Sequence, residues 1–126
     1  MTKLEIINET VAYYETHPRA IKCDSDDTHS SCWYRNDKGE MCAIGRIMTG
    51  AALDKYAEDG NSISTGFFNK SIDEILKPQY AGHQLLFWKQ LQNLHDVETN
   101  WLKMDSGNQL SEEGHRRKID LINAYC

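Results

Sequence analysis

Residues 84–104, QLLFWKQLQNLHDVETNWLKM, carry the strongest helical signal in the chain and decide which fold we expect. Apolar side chains recur in this stretch at three- and four-residue steps, as they do on one broad face of an α-helix. The positions on this face are Leu85, Trp88, Leu91, Leu94, His95, Trp101 and Leu102. We therefore predict one long central helix over residues 84–104, ended by the turn-forming residues 105–108 (DSGN).

Capping residues predict helices on both sides of this stretch. Thr2 and Glu5 have the spacing of a capping box, in which each side chain accepts a hydrogen bond from a free amide at the helix start. That first helix should end near His17, because Pro18 disfavours helical geometry in the residue before it. An apolar stripe of Leu4, Ile7, Val11 and Tyr14 supports the same assignment.

Three further helices follow from the same kind of signal. Thr49 can cap a short helix over residues 51–58, and Ser71 can begin a connector of about two turns that Pro78 limits. Ser111, followed by two glutamates, begins the last helix with acidic side chains in its first turn. The chain is therefore expected to be rich in helix.

Residues 23–45 lack the helical repeat and carry three of the four cysteines. The segment 36–39 (NDKG) suits a four-residue turn, so we interpret residues 31–35 and 40–44 as the strands of a β-hairpin. The alternative is a helix that begins at Met41 and runs through Met48. The predicted fold is a single α+β domain over residues 1–126, rich in helix, with a small hairpin packed on the long central helix.

Charge and composition favour a cytoplasmic protein that does not bind nucleic acid. The formal net charge of the 126-residue chain is −5, and the basic residues are scattered apart from residues 116–118. Nucleic-acid binding normally needs a basic face, so that function is disfavoured. No signal peptide or membrane span is expected from the sequence, and the cysteines should be reduced thiols. A homo-oligomer stays possible.

A metal site is one candidate for residues 23–45, because Cys23, His29, Cys32 and Cys42 are residue types that bind zinc. Structural zinc sites usually show two close ligand pairs, whereas here only His29 and Cys32 are close in sequence. The alternative, which we favour, is that the cysteines pack as small hydrophobic side chains. No cofactor is therefore expected, and a small zinc-stabilised structural module stays an alternative.

A thiol nucleophile is a second candidate. Cys42 precedes a possible helix, and His95 and Asp96 follow in the order used by some cysteine hydrolases. His95 falls within the apolar face of the predicted central helix, where a histidine is more often a hydrogen-bonded core residue. No oxyanion element is recognisable, so we favour a protein that is not an enzyme.

Ligand recognition is the third candidate, and it rests on aromatic and arginine side chains. Aromatic rings beside a guanidinium can stack on a base or bind a phosphate. The candidate ligand-binding residues are Trp33, Tyr34, Arg35, Arg46, Phe67 and Phe68. On a strand Trp33 and Arg35 point to one face and Tyr34 to the other, so at least one ring is expected to pack internally.

The chain resembles a loosely defined group of short proteins of tailed phages and prophages. The resemblance rests on residues 32–35 (CWYR), Gly39, residues 42–45 (CAIG), residues 91–96 (LQNLHD) and Trp101. It implies a phage-type accessory protein, and such proteins often act by binding. A host protein or a small nucleotide-like ligand is the implied partner, in the host cytoplasm, with counteraction of host defence as the implied role.

The chain departs from this group directly after Gly45. A stretch similar to Leu-Ile-Pro-Asp is expected there, and residues 46–50 (RIMTG) stand in its place.

Overall fold

The computed structural model describes residues 1–19, 39–57, 72–105 and 107–126. Its helices are α1 (Lys3–Thr16), α2 (Gly50–Ala57), α3 (Leu85–Asp96) and α4 (Glu112–Tyr125). Its strands are β1 (Trp101–Met104) and β2 (Gly107–Leu110). Short 3-10 turns lie at Gly45–Ile47, Ile72–Glu74, Pro78–Tyr80 and Glu98–Asn100. The predicted helix-rich α+β class is confirmed.

Helix α1 begins and ends where its sequence predicts. The Thr2 hydroxyl accepts a hydrogen bond from the Glu5 amide at 3.1 Å, and the Glu5 carboxylate accepts one from the Thr2 amide at 2.9 Å. These two bonds satisfy amides that have no partner within the helix. His17, directly before Pro18, is extended and ends the helix.

Helices α2 and α4 also begin at their predicted caps. The Thr49 hydroxyl accepts a hydrogen bond from the Ala52 amide at 3.2 Å, and the Ser111 hydroxyl accepts one from the Gly114 amide at 3.0 Å. The connector predicted before Pro78 contains only the 3-10 turn Ile72–Glu74 in its described residues. Local cap chemistry therefore places the helix starts correctly.

The prediction of one helix over residues 84–104 is wrong, because α3 ends at Asp96 and Trp101 begins β1. If the helix continued, the Leu94 carbonyl would accept a hydrogen bond from the backbone amide four residues later. That carbonyl instead accepts hydrogen bonds from Asn100 Nδ2 at 3.2 Å and from Trp101 Nε1 at 2.9 Å. Two side chains thus replace the backbone bond that would have extended the helix.

The β-hairpin of the described residues is formed by β1 and β2, which pair antiparallel from Trp101 opposite Leu110 to Met104 opposite Gly107. It packs closely against α1, since a Cβ atom added at Gly107 would lie 2.3 Å from the Glu15 carbonyl oxygen. The predicted chain break at residues 105–108 therefore coincides with the end of β1 and the start of β2, in a hairpin that was not predicted from the sequence.

The hairpin predicted over residues 31–44 is described only in part, where Met41 forms a β-bridge but residues 42–44 do not continue as a strand. Residues 31–35 lie outside the described residues, and the predicted second strand, 40–44, gives way to a compact turn. We call residues 42–47 the Cys42 turn. Its Cys42 carbonyl accepts from the Arg46 amide at 3.1 Å and its Ile44 carbonyl from the Ile47 amide at 3.1 Å. The alternative helix from Met41 to Met48 is likewise reduced to the 3-10 turn Gly45–Ile47.

The core lies where α1, the Cys42 turn and α3 meet. Its largest fully buried side chains include Tyr14 of α1, Ile44 and Ile47 of the Cys42 turn, and Trp88 and Leu91 of α3. Each such side chain contributes about 1.5–3 kcal/mol by leaving water. None of the described helices has both the length and the apolar character that crossing a membrane requires.

Candidate functional site

The residues that carry the candidate chemistry meet inside the molecule, between the Cys42 turn and α3. We call Cys42, Gln92, His95 and Asp96 the interior polar cluster. Gln92 joins its two sides: its Oε1 accepts a hydrogen bond from the Ile44 amide at 3.2 Å, and its Nε2 donates to Asp96 Oδ1 at 2.6 Å. The structure therefore brings together the two halves of the sequence motif, residues 42–45 and 91–96.

Cys42 is closed off from solvent, with 1% of its surface exposed. Its Sγ accepts a hydrogen bond from the Gly45 amide at 3.3 Å, so the side chain caps the turn that it begins. Burial raises the pKa of the Cys42 thiol to about 12, and the charge of Asp96 adds to this effect while the Gly45 amide opposes it. A buried thiol of this kind stays protonated at neutral pH.

His95 is fully buried and faces Asp96 rather than Cys42. Its Nδ1 lies 2.8 Å from Asp96 Oδ1, which can only accept, so Nδ1 carries the proton of this contact. Burial lowers the pKa of His95, although the hydrogen bond and the charge of Asp96 oppose that shift. No hydrogen bond joins His95 to Cys42 among the described contacts, and His95 Nε2 has no hydrogen-bond partner there. The imidazole is therefore neutral near pH 7 and not placed to activate the thiol.

Arg19 completes the surroundings of this cluster, although no sequence pattern points to it. Its Nε donates to the His95 carbonyl at 2.9 Å and its Nη2 to the Asp96 carbonyl at 3.3 Å. Carbonyls at the end of a helix lack partners and carry partial negative charge, so a guanidinium is a suitable cap. Arg19 also lies over the ring of Trp101, with its Cζ 5.7 Å from the ring centroid. The contact spans 76 residues of sequence, beyond the reach of local pattern.

Arg46, predicted to bind a ligand, is engaged within the molecule. We call Arg46, Glu9, Thr10, Tyr13 and Tyr80 the Arg46 cluster. The Arg46 side chain is 6% exposed and donates to Glu9 at 2.8 Å and to the Thr10 hydroxyl at 2.6 Å. Its Cζ lies 5.4 Å from the Tyr13 ring centroid and 5.9 Å from that of Tyr80. These contacts use most of the surface through which a guanidinium would recognise a ligand.

The other sequence-predicted sites fall largely outside the described residues. This holds for the ligand-binding candidates Trp33, Tyr34, Arg35, Phe67 and Phe68, and for the metal candidates Cys23, His29 and Cys32. In residues 1–19, 39–57, 72–105 and 107–126, no group of three or more His, Cys, Asp or Glu side chains could hold a metal ion. Both the ligand-binding and the zinc interpretations therefore stay predictions.

A groove of about 610 Å³ lies between α3 and α4, and we call it the α3–α4 groove. Its most buried lining residues are Leu94, Asn100 and Leu121, which are 4%, 2% and 7% exposed. Val97, 46% exposed, and Tyr125 add further apolar surface. The volume is that of a small-molecule site. Sequence reasoning missed it because α3 was expected to continue through residue 104.

Comparison with protein-family models, with curated proteins and with solved structures found no match to the chain.

Proposed function

We propose that this chain is a non-enzymatic, phage-type accessory protein that binds a host protein or a nucleotide-like ligand in the host cytoplasm and so counteracts host defence. The observation that carries the proposal is the burial of the sequence motif. Cys42, His95 and their neighbours act as a scaffold that joins the Cys42 turn to α3. Recognition then belongs to the surface of the molecule.

The alternative of a cysteine hydrolase finds little support in this geometry. A nucleophilic cysteine must reach its substrate and must be a thiolate, usually with an imidazole beside it. With its pKa raised to about 12 by burial, the Cys42 thiol stays protonated at pH 7. The side chain is also buried, and the nearby imidazole faces Asp96 instead.

Binding is supported by two features that do not depend on each other. The α3–α4 groove has the volume of a small-molecule site and is open at the surface. The resemblance to phage proteins independently implies a protein that acts by binding, because it is tied to no catalytic residue. A binding role agrees with both features.

The purified chain should be tested against both classes of partner. Thermal unfolding would be measured with mono-, di- and cyclic nucleotides, and immobilised protein would be exposed to bacterial lysates. A nucleotide at 100 times its Kd should stabilise the fold by about 2.7 kcal/mol, which raises Tm by on the order of 10 °C. A host protein partner should instead be retained in stoichiometric amount and should be absent from a column of heat-denatured chain. If neither result is obtained, the proposal fails.

A further inference from the structure

We infer that the α3–α4 groove binds the base of a nucleotide-like ligand, an inference that rests on the proposed function and gives it a site. The groove is formed by equivalent faces of two helices. Gln90, Asn93 and Leu94 lie along one face of α3, and Val97 caps its end on the same side. Residues 117, 120, 121 and 124 repeat the same spacing on α4. Residues with this spacing share one side of a helix, so the groove follows both helix axes.

The base of the groove suits a flat, weakly polar ring. Leu94 and Leu121 are almost fully buried, and the more exposed Val97 and Ala124 widen the apolar surface around them. Tyr125 lines the groove and is partly buried, since its ring packs edge to face against Phe87 at 5.5 Å. An aromatic ring held in this way offers a rigid surface against which a base can stack.

Asn100 supplies an acceptor that lacks a partner. It lines the groove and is 2% exposed, and its Oδ1 has no hydrogen-bond partner among the described residues. The amide cannot simply be turned over, because Nδ2 donates to the Leu94 carbonyl at 3.2 Å. A buried acceptor without a partner costs about 1–3 kcal/mol. That oxygen is covered in this structure, so a ligand N–H group would remove the cost after a shift of the Asn100 side chain toward the groove, and exocyclic amines and ring N–H groups of bases provide such a donor.

The rim of the groove matches the remaining edge of a base. Gln90 and Asn93 are exposed carboxamides on α3, and each offers donors and an acceptor. Side-chain carboxamides pair well with base edges because both groups are planar and carry adjacent donors and acceptors. Arg117 and Asp120 on α4 contribute one charge of each sign, and Arg117 is partly neutralised by Glu113 at 3.2 Å. Recognition should therefore depend on the base more than on the phosphate.

The side chains of the other two polar clusters described above are covered by their neighbours. The guanidinium of the Arg46 cluster is covered by Tyr13, Tyr80 and Glu9. In the interior polar cluster, His95 is fully buried and Cys42 is 1% exposed. The α3–α4 groove combines volume, an unpartnered acceptor and polar rims in one place.

The test is NMR titration of the full chain with adenosine, guanosine, cytidine and uridine 5′-monophosphates. Ribose 5-phosphate, which has the phosphate and sugar without a base, is the ligand control. At least one nucleotide should shift the amide signals of residues 90–97 and 117–125, and ribose 5-phosphate should not. Ala124→Trp fills the groove from an exposed position and should weaken binding at least ~10-fold by steric exclusion. Ala12→Trp is the matched control at an exposed position of α1 and should leave binding unchanged.

Asn93→Ala removes one rim carboxamide without touching the core, and binding should weaken about three- to ten-fold. If wild type and Ala124→Trp bind equally, or if the shifts are confined to other residues, the groove is not the binding site. The proposed function would not be affected by that result. Shifts of the same size with ribose 5-phosphate would overturn recognition of the base. No shift with any nucleotide at about 1 mM would overturn the inference. If a host protein is retained in that case, the proposed function survives without it.

Discussion

At the scale of single residues, burial decides what the candidate side chains can do. Cys42 and His95 are residue types that catalyse reactions when they are exposed and adjacent. Here the thiol caps a turn and the imidazole is neutral in the core, held by Asp96. The same residues that suggested a hydrolase therefore stabilise the junction between the Cys42 turn and α3.

Cys42 should be unreactive in the folded protein. Iodoacetamide at pH 7 to 8 is expected to label exposed Cys126 and to leave Cys42 unmodified, because that thiol is buried and protonated. Peptide mass spectrometry after graded labelling measures both sites in one sample. In guanidinium chloride both should react at similar rates. Labelling of native Cys42 well below pH 8 would support the hydrolase alternative instead.

His95 should make the stability of the fold depend on pH. Burial lowers its pKa in the folded state, so below the ordinary value of 6.5 the unfolded chain binds the proton more readily. The contribution of neutral His95 to the free energy of unfolding is therefore complete above about pH 6.5. It should decrease as the pH falls below that value. One such group contributes at most about 1.4 kcal/mol per pH unit.

Urea unfolding of wild type, His95→Gln and His115→Gln between pH 5 and pH 8 measures this contribution. His95→Gln should flatten the pH dependence, whereas His115→Gln, which changes an exposed histidine of α4, should retain it. Glu9 also acts in the acid range, because Tyr80 and Arg46 outweigh burial and lower its pKa. Its contribution should be lost only below about pH 4.5. If the free energy of unfolding of His95→Gln changes with pH as steeply as that of wild type, buried His95 is not the source of the pH dependence.

At the scale of elements, the ends of α3 and the packing of α4 depend on contacts between distant segments. Arg19 caps the carbonyls of His95 and Asp96. Arg19→Met should lower the free energy of unfolding by about 1.5–3 kcal/mol, because hydrogen bonds from a charged donor are lost. Arg116→Met, on the exposed face of α4, should change it by less than about 0.5 kcal/mol. Equal effects in urea unfolding would show that Arg19 is not a cap.

Gly114 allows the start of α4 to approach the turn before β1. A Cβ atom at this position would lie 2.0 Å from the Asn100 carbonyl oxygen. Gly114→Ala should therefore destabilise the fold by about 1–3 kcal/mol, although alanine favours helix more than glycine does. Gly50→Ala is the matched control, because no atom lies within 4 Å of its added Cβ. Denaturant unfolding that shows the same change for both variants would contradict the close approach.

At the scale of the whole molecule, the Arg46 cluster ties together three segments that are distant in sequence. Arg46 belongs to the Cys42 turn, Glu9 to α1 and Tyr80 to the turn Pro78–Tyr80. The Tyr80 hydroxyl donates a hydrogen bond to Glu9 at 2.5 Å. Glu9→Gln should destabilise the fold by roughly 2–3 kcal/mol, because it leaves the charge of Arg46, whose side chain is 6% exposed, without its carboxylate. Arg46→Met should cost about 1–2 kcal/mol, because the Glu9 side chain is 37% exposed and water can replace the lost donor.

A double-mutant cycle with these two variants measures their coupling in the free energy of unfolding. The double variant should be less destabilised than the sum of the two single changes, by about 1 kcal/mol or more. Lys103→Met, at an exposed position of β1, is the control for loss of a surface cation. Strict additivity would contradict a shared role in joining the segments.

Helix starts were predictable, since a cap joins residues three positions apart and depends on few other contacts. Thr2, Thr49 and Ser111 all cap as expected. The meeting of Cys42 with His95 and Asp96 near one centre was also suggested by their order in the sequence. The protonation and burial that govern their chemistry were not, because both depend on side chains packed around them.

The residue stretch 84–104 shows where sequence alone was insufficient. Its apolar repeat determined that a helix begins at residue 85 and buries Trp88, Leu91 and Leu94. The end of that helix was decided by side chains that the repeat does not encode: Asn100 and Trp101, six and seven residues on, take the Leu94 carbonyl, and the distant Arg19 takes the carbonyls of His95 and Asp96. Local periodicity measures which side chains share a face. It does not show which side chains will donate to the last carbonyls of the helix, and the tertiary structure adds Arg19, 76 residues away, to the two nearby donors.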